Sequence, residues 1–169
     1  MTAEVTEVQQ PSLQTPKQRS MITYALKWAA LSFAISITLA VSSSLLGFTG
    51  DDEGPFEEVP IENPADKVVM LVGIVIISPV FETLGLAAMI GLLGYITSNR
   101  AWLMVLPSAV WCAMHSILWP PWGIFVAPLF LICAYAYLDW RRVALWKALW
   151  VPMLIHAFHN TIPALIIVA

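Results

Sequence analysis

The chain has 169 residues, of which 59% are hydrophobic and 11% are charged, and its formal net charge is −3. Soluble domains average about 45–50% apolar and about 25% charged residues, so this composition indicates a membrane protein. The length fits one domain, and the sequence contains no basic patch large enough to bind nucleic acid.

Residues 1–20 are polar and predict a disordered cytoplasmic tail. The apolar segment 21–48 predicts a first transmembrane helix. It is about twice as long as the 7–15 residue core of a signal peptide, so we expect it to remain as an anchor. Residues 49–66 are rich in Asp and Glu and predict a solvated loop outside the membrane.

Four further segments are apolar enough to cross the bilayer, whose core of roughly 30 Å takes about 20 helical residues. They are Val68–Thr97, Ala101–Trp119, Trp122–Leu138 and Val143–Val168. The connections between them are short and favour antiparallel packing. The predicted fold is therefore all-α, a polytopic membrane helix bundle of five transmembrane helices with a four-helix core in residues 67–169.

Lys and Arg residues are distributed unevenly between the two sides of this topology. When the spans alternate, seven of the eight lie on one side and Lys67 lies on the other. Positive charge favours the cytoplasmic side. The sequence therefore predicts an integral protein of the plasma (inner) membrane, with the N-terminus in the cytoplasm and the C-terminus outside.

Polar residues interrupt three of the apolar spans at Glu82, His115 and the pair His156 and Asn160. An ionised group at the bilayer centre costs roughly 2.5–3.5 kcal/mol on insertion scales, so such residues usually mark a functional site. Counted from the predicted cytoplasmic ends of their spans, Glu82, His115 and His156 lie 15, 14 and 13 residues in. At about 1.5 Å per residue these positions share one depth, as a single site requires.

Local spacing supports this interpretation. His156 and Asn160 are four residues apart and lie on one helix face. Pro79 precedes Glu82 by three residues and can bend its helix, and Gly85 permits close approach of another helix. Taken singly, each histidine is more simply an interhelical hydrogen-bonding group.

A buried, protonated carboxyl bonded to a backbone carbonyl is the corresponding simple interpretation of Glu82. The shared depth of Glu82, His115 and His156 favours a site over these separate roles. His159 lies three residues from His156 but has no counterpart in the other spans, and we interpret it as a bystander.

At these residues the chain resembles the CPBP intramembrane proteases, the group that contains type II CAAX prenyl endopeptidases and bacterial bacteriocin-processing or self-immunity proteins. Their motifs are E-E-x-x-x-R, F-x-x-x-H and H-x-x-x-N. Glu82 matches the first glutamate of the first motif, the segment Trp111–His115 resembles the second with Trp for Phe, and His156–Asn160 matches the third. Thr83 and Ala87 stand where the family has its second glutamate and its arginine.

The resemblance implies an intramembrane endopeptidase that acts on a membrane-associated peptide or protein. Peptide hydrolysis needs an activated water and donors for the tetrahedral oxyanion. Glu82 is suited to act as the general base, His115 to orient the water, and His156 and Asn160 to donate to the oxyanion. The resemblance implies the same catalytic residues.

Three alternatives stay open at this point. Glu82, His115 and His156 form the ligand set of a zinc peptidase, so the cofactor is either absent or one divalent metal. The chain could instead be a catalytically degenerate binding or bacteriocin-immunity protein of the same family. A proton or ion carrier is the third alternative, but transporters commonly contain paired repeats and none is evident here.

Overall fold

The structure is a computed structural model that describes residues 20–48 and 63–169. All regular elements in these two ranges are helical, as the sequence predicts. In chain order they are α1 (Met21–Leu45), α2 (Pro64–Val72), a π-helical turn (Gly73–Ile77), α3 (Ser78–Leu93), α4 (Arg100–Leu118), α5 (Trp122–Trp140) and α6 (Leu145–Ile167). Most of the predicted tail and of the predicted acidic loop lies outside the described residues, but the end of the predicted loop, residues 64–66, is helical.

In the part of the chain that the structure describes, five helical segments are long and apolar enough to cross a membrane, which confirms the predicted number. The second is a continuous run of 30 residues, Pro64–Leu93, that contains α2, the π-helical turn and α3. It begins four residues before the predicted start at Val68. Large apolar side chains are exposed around the bundle, among them Phe81 and Ile117. Such a surface fits contact with lipid.

Side-chain caps explain where two of the helices begin. Asn63 Oδ1 accepts hydrogen bonds from the N–H groups of Ala65 and Asp66 at 2.9 and 3.1 Å. The Asp66 carboxylate accepts from Asn63 N–H in return, completing a capping box with Pro64 in the first turn. Asn99 caps α4 in the same way by accepting from the N–H of Ala101. The second span therefore starts inside the predicted loop because a strong N-cap stands there.

Helix α5 occupies the middle of the bundle and packs against α1, α3, α4 and α6. Small residues allow these close contacts: Ala25 and Ala29 of α1 are buried, as are Ala134 and Ala136 of α5. Helix α1 also packs along α6. The first span is therefore part of the same bundle as the four helices that carry the predicted site.

Candidate active site

A cavity of about 620 Å³ lies between the helices and is lined by residues from all five spans. The four residues singled out in the sequence, Glu82, His115, His156 and Asn160, all line it. They come from α3, α4 and α6, so the fold brings together side chains that are up to 78 positions apart in the sequence. Their side chains line one common cavity, as a single site requires.

The two carboxylate oxygens of Glu82 have different surroundings. Ser78, one helical turn earlier, donates a hydrogen bond to Oε1. Oε2 is buried, has no hydrogen-bond partner among the described residues, and lies 3.6 Å from His156 Nε2. The side chain of Glu82 is 14% exposed. One oxygen is thus fixed by Ser78, and the other faces His156 without a hydrogen-bond partner among the described residues.

The π-helical turn just before Glu82 explains how Asn160 is held. Ser78 N–H bonds to Gly73 O rather than to Ile74 O, and Pro79, the next residue, has no N–H to donate. The carbonyl of Ile74 therefore has no donor within its own helix. Asn160 Nδ2 supplies one at 3.0 Å. Since a carbonyl can only accept, the amide nitrogen of Asn160 must face it, and one of its two hydrogens remains for another acceptor.

A hydrogen bond within α4 fixes the tautomer of His115. Its Nδ1 lies 2.8 Å from the carbonyl oxygen of Trp111. Because a carbonyl cannot donate, Nδ1 carries the hydrogen, and Nε2 of the neutral ring presents a lone pair. The ring is perpendicular to that of Trp122, with 4.8 Å between the centroids. His115 is therefore held as a hydrogen-bond acceptor at the cavity wall.

The ring of Phe130 in α5 contacts both His115 of α4 and His156 of α6. Its ring centroid lies 5.3 Å from that of His115 and 5.6 Å from that of His156, and it stacks on Trp111 at 5.7 Å. The side chain is 1% exposed. Sequence reasoning missed it, because a phenylalanine inside an apolar span carries no signal that separates it from its neighbours.

Helices α3 and α4 meet closely at Gly85. A Cβ atom added there would lie 2.8 Å from Trp111 Cζ2, closer than real Cβ contacts allow. Glycine is thus required for the indole of Trp111 to pack against α3, in agreement with the close approach expected from the sequence. The same tryptophan supplies the carbonyl that orients His115.

His159 also lines the cavity, although the sequence suggested a bystander. Its Nδ1 lies 2.8 Å from the Ser32 hydroxyl of α1, and its ring meets that of Phe33 edge-on. Ser32 had no feature in the sequence that linked it to a residue 127 positions away. A serine inside a transmembrane helix most often bonds to its own backbone.

The two positions that depart from the resembled motif are filled by small side chains. Thr83 is buried, and its hydroxyl has no hydrogen-bond partner among the described residues. Ala87 packs against the hydrophobic core. No ion pair can form at these positions, so the nearest polar support of Glu82 is Ser78.

A metal site was tested against the same geometry. Within residues 20–48 and 63–169, no three His, Cys, Asp or Glu side chains come together in an arrangement that could hold a metal ion. The conditional ligand set Glu82, His115 and His156 therefore does not fit a metal as these side chains stand.

Comparison with known proteins agrees with the motifs. A family model described as type II CAAX prenyl endopeptidase Rce1-like matches residues 64–162, more than half of the chain. The matched region contains Glu82, His115, His156 and Asn160 but not α1. Searches of curated proteins and of solved structures gave no match.

Proposed function

Because this chain belongs to the type II CAAX prenyl endopeptidase Rce1-like family, we propose that it is an intramembrane endopeptidase whose catalytic residues are Glu82, His115, His156 and Asn160. The protein is an integral membrane protein of a family of membrane proteases. Its substrate is a membrane-associated peptide or protein, and the scissile bond enters the cavity that the five spans enclose.

The attacking water binds between Glu82 and His115. It donates one hydrogen to Glu82 Oε2, which has no other hydrogen-bond partner among the described residues, and the other to the lone pair of His115 Nε2. As the water oxygen attacks the carbonyl carbon, Glu82 takes the proton, and general-base assistance of this kind contributes about 10²–10⁴-fold to a rate. The observation that supports this proposal is the buried Oε2, which has no hydrogen-bond partner among the described residues.

The oxyanion of the tetrahedral intermediate is stabilised by His156 and Asn160. We assign the hydrogen of the His156 imidazole to Nε2, where the 3.6 Å contact with Glu82 is too long for a hydrogen bond and leaves the N–H for the oxyanion. The second amide hydrogen of Asn160 is available too, because the first is donated to Ile74 O. The C–N bond then breaks, and Glu82 returns its proton to the amine nitrogen of the leaving fragment.

Thr83 and Ala87 favour a second candidate, a catalytically degenerate member that binds a peptide in the cavity, for instance in immunity to a bacteriocin. In that case the residues that line the cavity serve binding alone. The two candidates differ in their dependence on the Glu82 carboxylate, since binding tolerates a neutral amide of the same shape and general-base catalysis does not.

A comparison of membrane peptides between cells carrying the unmodified chain and the Glu82→Gln variant tests the proposal. We expect peptides that appear with the unmodified chain and are absent with the variant at equal expression. If the two peptide pools are the same, and a cellular phenotype of the gene survives both Glu82→Gln and His115→Ala, the binding role is the correct one.

A further inference from the structure

His159 is a cavity residue outside the four to which catalysis is assigned. It is 7% exposed and lines the same cavity as Glu82. Its contact, Ser32, belongs to α1, which lies outside the region matched by the family model. The first span therefore holds this histidine in place in addition to lining the cavity with its own side chains.

The hydrogen bonds of Ser32 fix which nitrogen of His159 carries the hydrogen. The Ser32 hydroxyl donates to the carbonyl of Ala29 at 2.9 Å. A hydroxyl has one hydrogen, so toward His159 the Ser32 oxygen acts as an acceptor, and Nδ1 of His159 must be the donor. In the neutral ring Nε2 then presents a lone pair.

This lone pair needs a donor that the protein does not provide. No hydrogen bond from a described side chain or backbone group reaches Nε2 of His159, and the residue lines the cavity. The cavity around it is lined mostly by apolar and aromatic residues, such as Phe33 and Pro163. A ligand that fills this part of the cavity gains a hydrogen bond only if it brings an N–H or O–H group.

We propose that His159, oriented by Ser32, is a substrate-binding residue whose Nε2 accepts a hydrogen bond from a backbone N–H of the bound peptide. The inference rests on the proposed function in taking the ligand to be a peptide. A peptide inside the membrane carries N–H groups whose burial without a partner is costly, so an acceptor in the cavity wall favours its extended backbone. His159 holds the substrate and takes no part in the bond-breaking step.

Two substitutions of His159 test the roles of its two ring nitrogens separately. Asparagine places its amide nitrogen near the position of Nδ1, so His159→Asn keeps a donor for Ser32 and removes the acceptor at Nε2. Glutamine reaches the Nε2 position, so His159→Gln keeps the acceptor and loses the contact with Ser32. Ser32→Ala removes the orienting oxygen, and Thr38→Ala is its matched control, because the Thr38 hydroxyl donates only to the backbone of α1.

Binding of a dansylated hexapeptide of alternating Leu and Ala is measured by energy transfer from tryptophan. The full chain is reconstituted in lipid vesicles with Glu82→Gln in every sample to prevent cleavage. A second peptide is methylated on each backbone nitrogen and has no N–H to donate. We expect the methylated peptide to bind about tenfold more weakly, as for one lost hydrogen bond.

His159→Asn should weaken binding of the parent peptide about three- to tenfold and leave binding of the methylated peptide unchanged. His159→Gln should retain most of the affinity, Ser32→Ala should weaken it, and Thr38→Ala should not. The proposal would be overturned if His159→Asn weakened binding of both peptides equally or left the affinity for the parent peptide unchanged. It would also be overturned if the parent peptide showed no saturable binding. Because nothing is cleaved in this experiment, a failure of the proposed hydrolysis would show only in the peptide comparison.

Discussion

Glu82 depends on Ser78 more than the family motif suggests. The second glutamate and the arginine of the motif are replaced by Thr83 and Ala87, which give the carboxylate no charged support. A hydrogen bond from a hydroxyl to a charged group is worth roughly 1.5–3 kcal/mol. Ser78 is therefore the group that holds Oε1 in place and leaves Oε2 directed to the cavity.

Replacing Ser78 by alanine should lower kcat about tenfold or more with little change in KM, because the carboxylate loses its orientation and not its charge. Steady-state kinetics in lipid vesicles would measure both constants. Thr161→Ala is the matched control, since the Thr161 hydroxyl donates to its own helix at Ala157 O. Equal losses in the two variants would mean that Ser78 has no special role.

The residues of the candidate site could be named from the sequence only where their polarity conflicts with their apolar surroundings. Glu82, His115 and Asn160 stand out in this way. Ser78 precedes Glu82 by one turn, but a serine hydroxyl in a helix usually donates to a backbone carbonyl of that helix. The sequence therefore does not predict that Ser78 donates to the Glu82 side chain instead. The partnership of His159 with Ser32 depends on how α1 packs on α6, which no local pattern specifies.

At the level of elements, helix number and approximate bounds followed from hydropathy, while the irregular geometry did not. The sequence indicated a bend at Pro79 but not the π-helical turn of Gly73–Ile77 that precedes it. Proline removes a donor, and the helix here accommodates the loss by a change of hydrogen-bond register, which frees Ile74 O for Asn160. That outcome requires the partner on α6 and cannot be read from α3 alone.

The contact of α3 with α4 can be tested with two glycines of one helix. Gly85→Ala should lower stability by about 1–3 kcal/mol, because the added methyl group would overlap the indole of Trp111. Activity should fall as well, since Trp111 orients His115. Thermal unfolding in detergent would report the first effect and peptide cleavage the second.

Gly91→Ala is the matched control for this substitution. A Cβ at Gly91 meets no atom within 4 Å, so the variant should be as stable as the unmodified chain or slightly more stable. The close contact of α3 with α4 would be contradicted if Gly85→Ala and Gly91→Ala unfolded at the same temperature.

On the scale of the whole molecule, the cavity is a product of all five spans. The matched region begins at residue 64, yet Phe33 and Ser36 of α1 help to line the cavity. Sequence motifs indicated a candidate site on α3, α4 and α6, but they could not indicate that the first span also lines the cavity. That contribution comes from packing of α1 along α5 and α6.

The predicted orientation has a direct test. In a chain in which Cys112 and Cys133 are replaced by alanine, an Ala169→Cys variant should react with an impermeant maleimide on intact cells. A Ser98→Cys variant should react only after permeabilisation, because the turn between α3 and α4 faces the cytoplasm in this topology. The reverse pattern would mean that the positive charges do not set the orientation.

The central claim is that Glu82 activates a water that cleaves a peptide bond inside the membrane. Its most direct test is to fuse vesicles containing the purified chain with membranes from cells that lack it, in H₂¹⁸O with a metal chelator present. Mass spectrometry then detects peptides with a newly formed, ¹⁸O-labelled carboxyl terminus. We predict such peptides with the unmodified chain and none with Glu82→Gln. The same labelled peptides from both chains, or labelled peptides only after zinc is added, would contradict the claim.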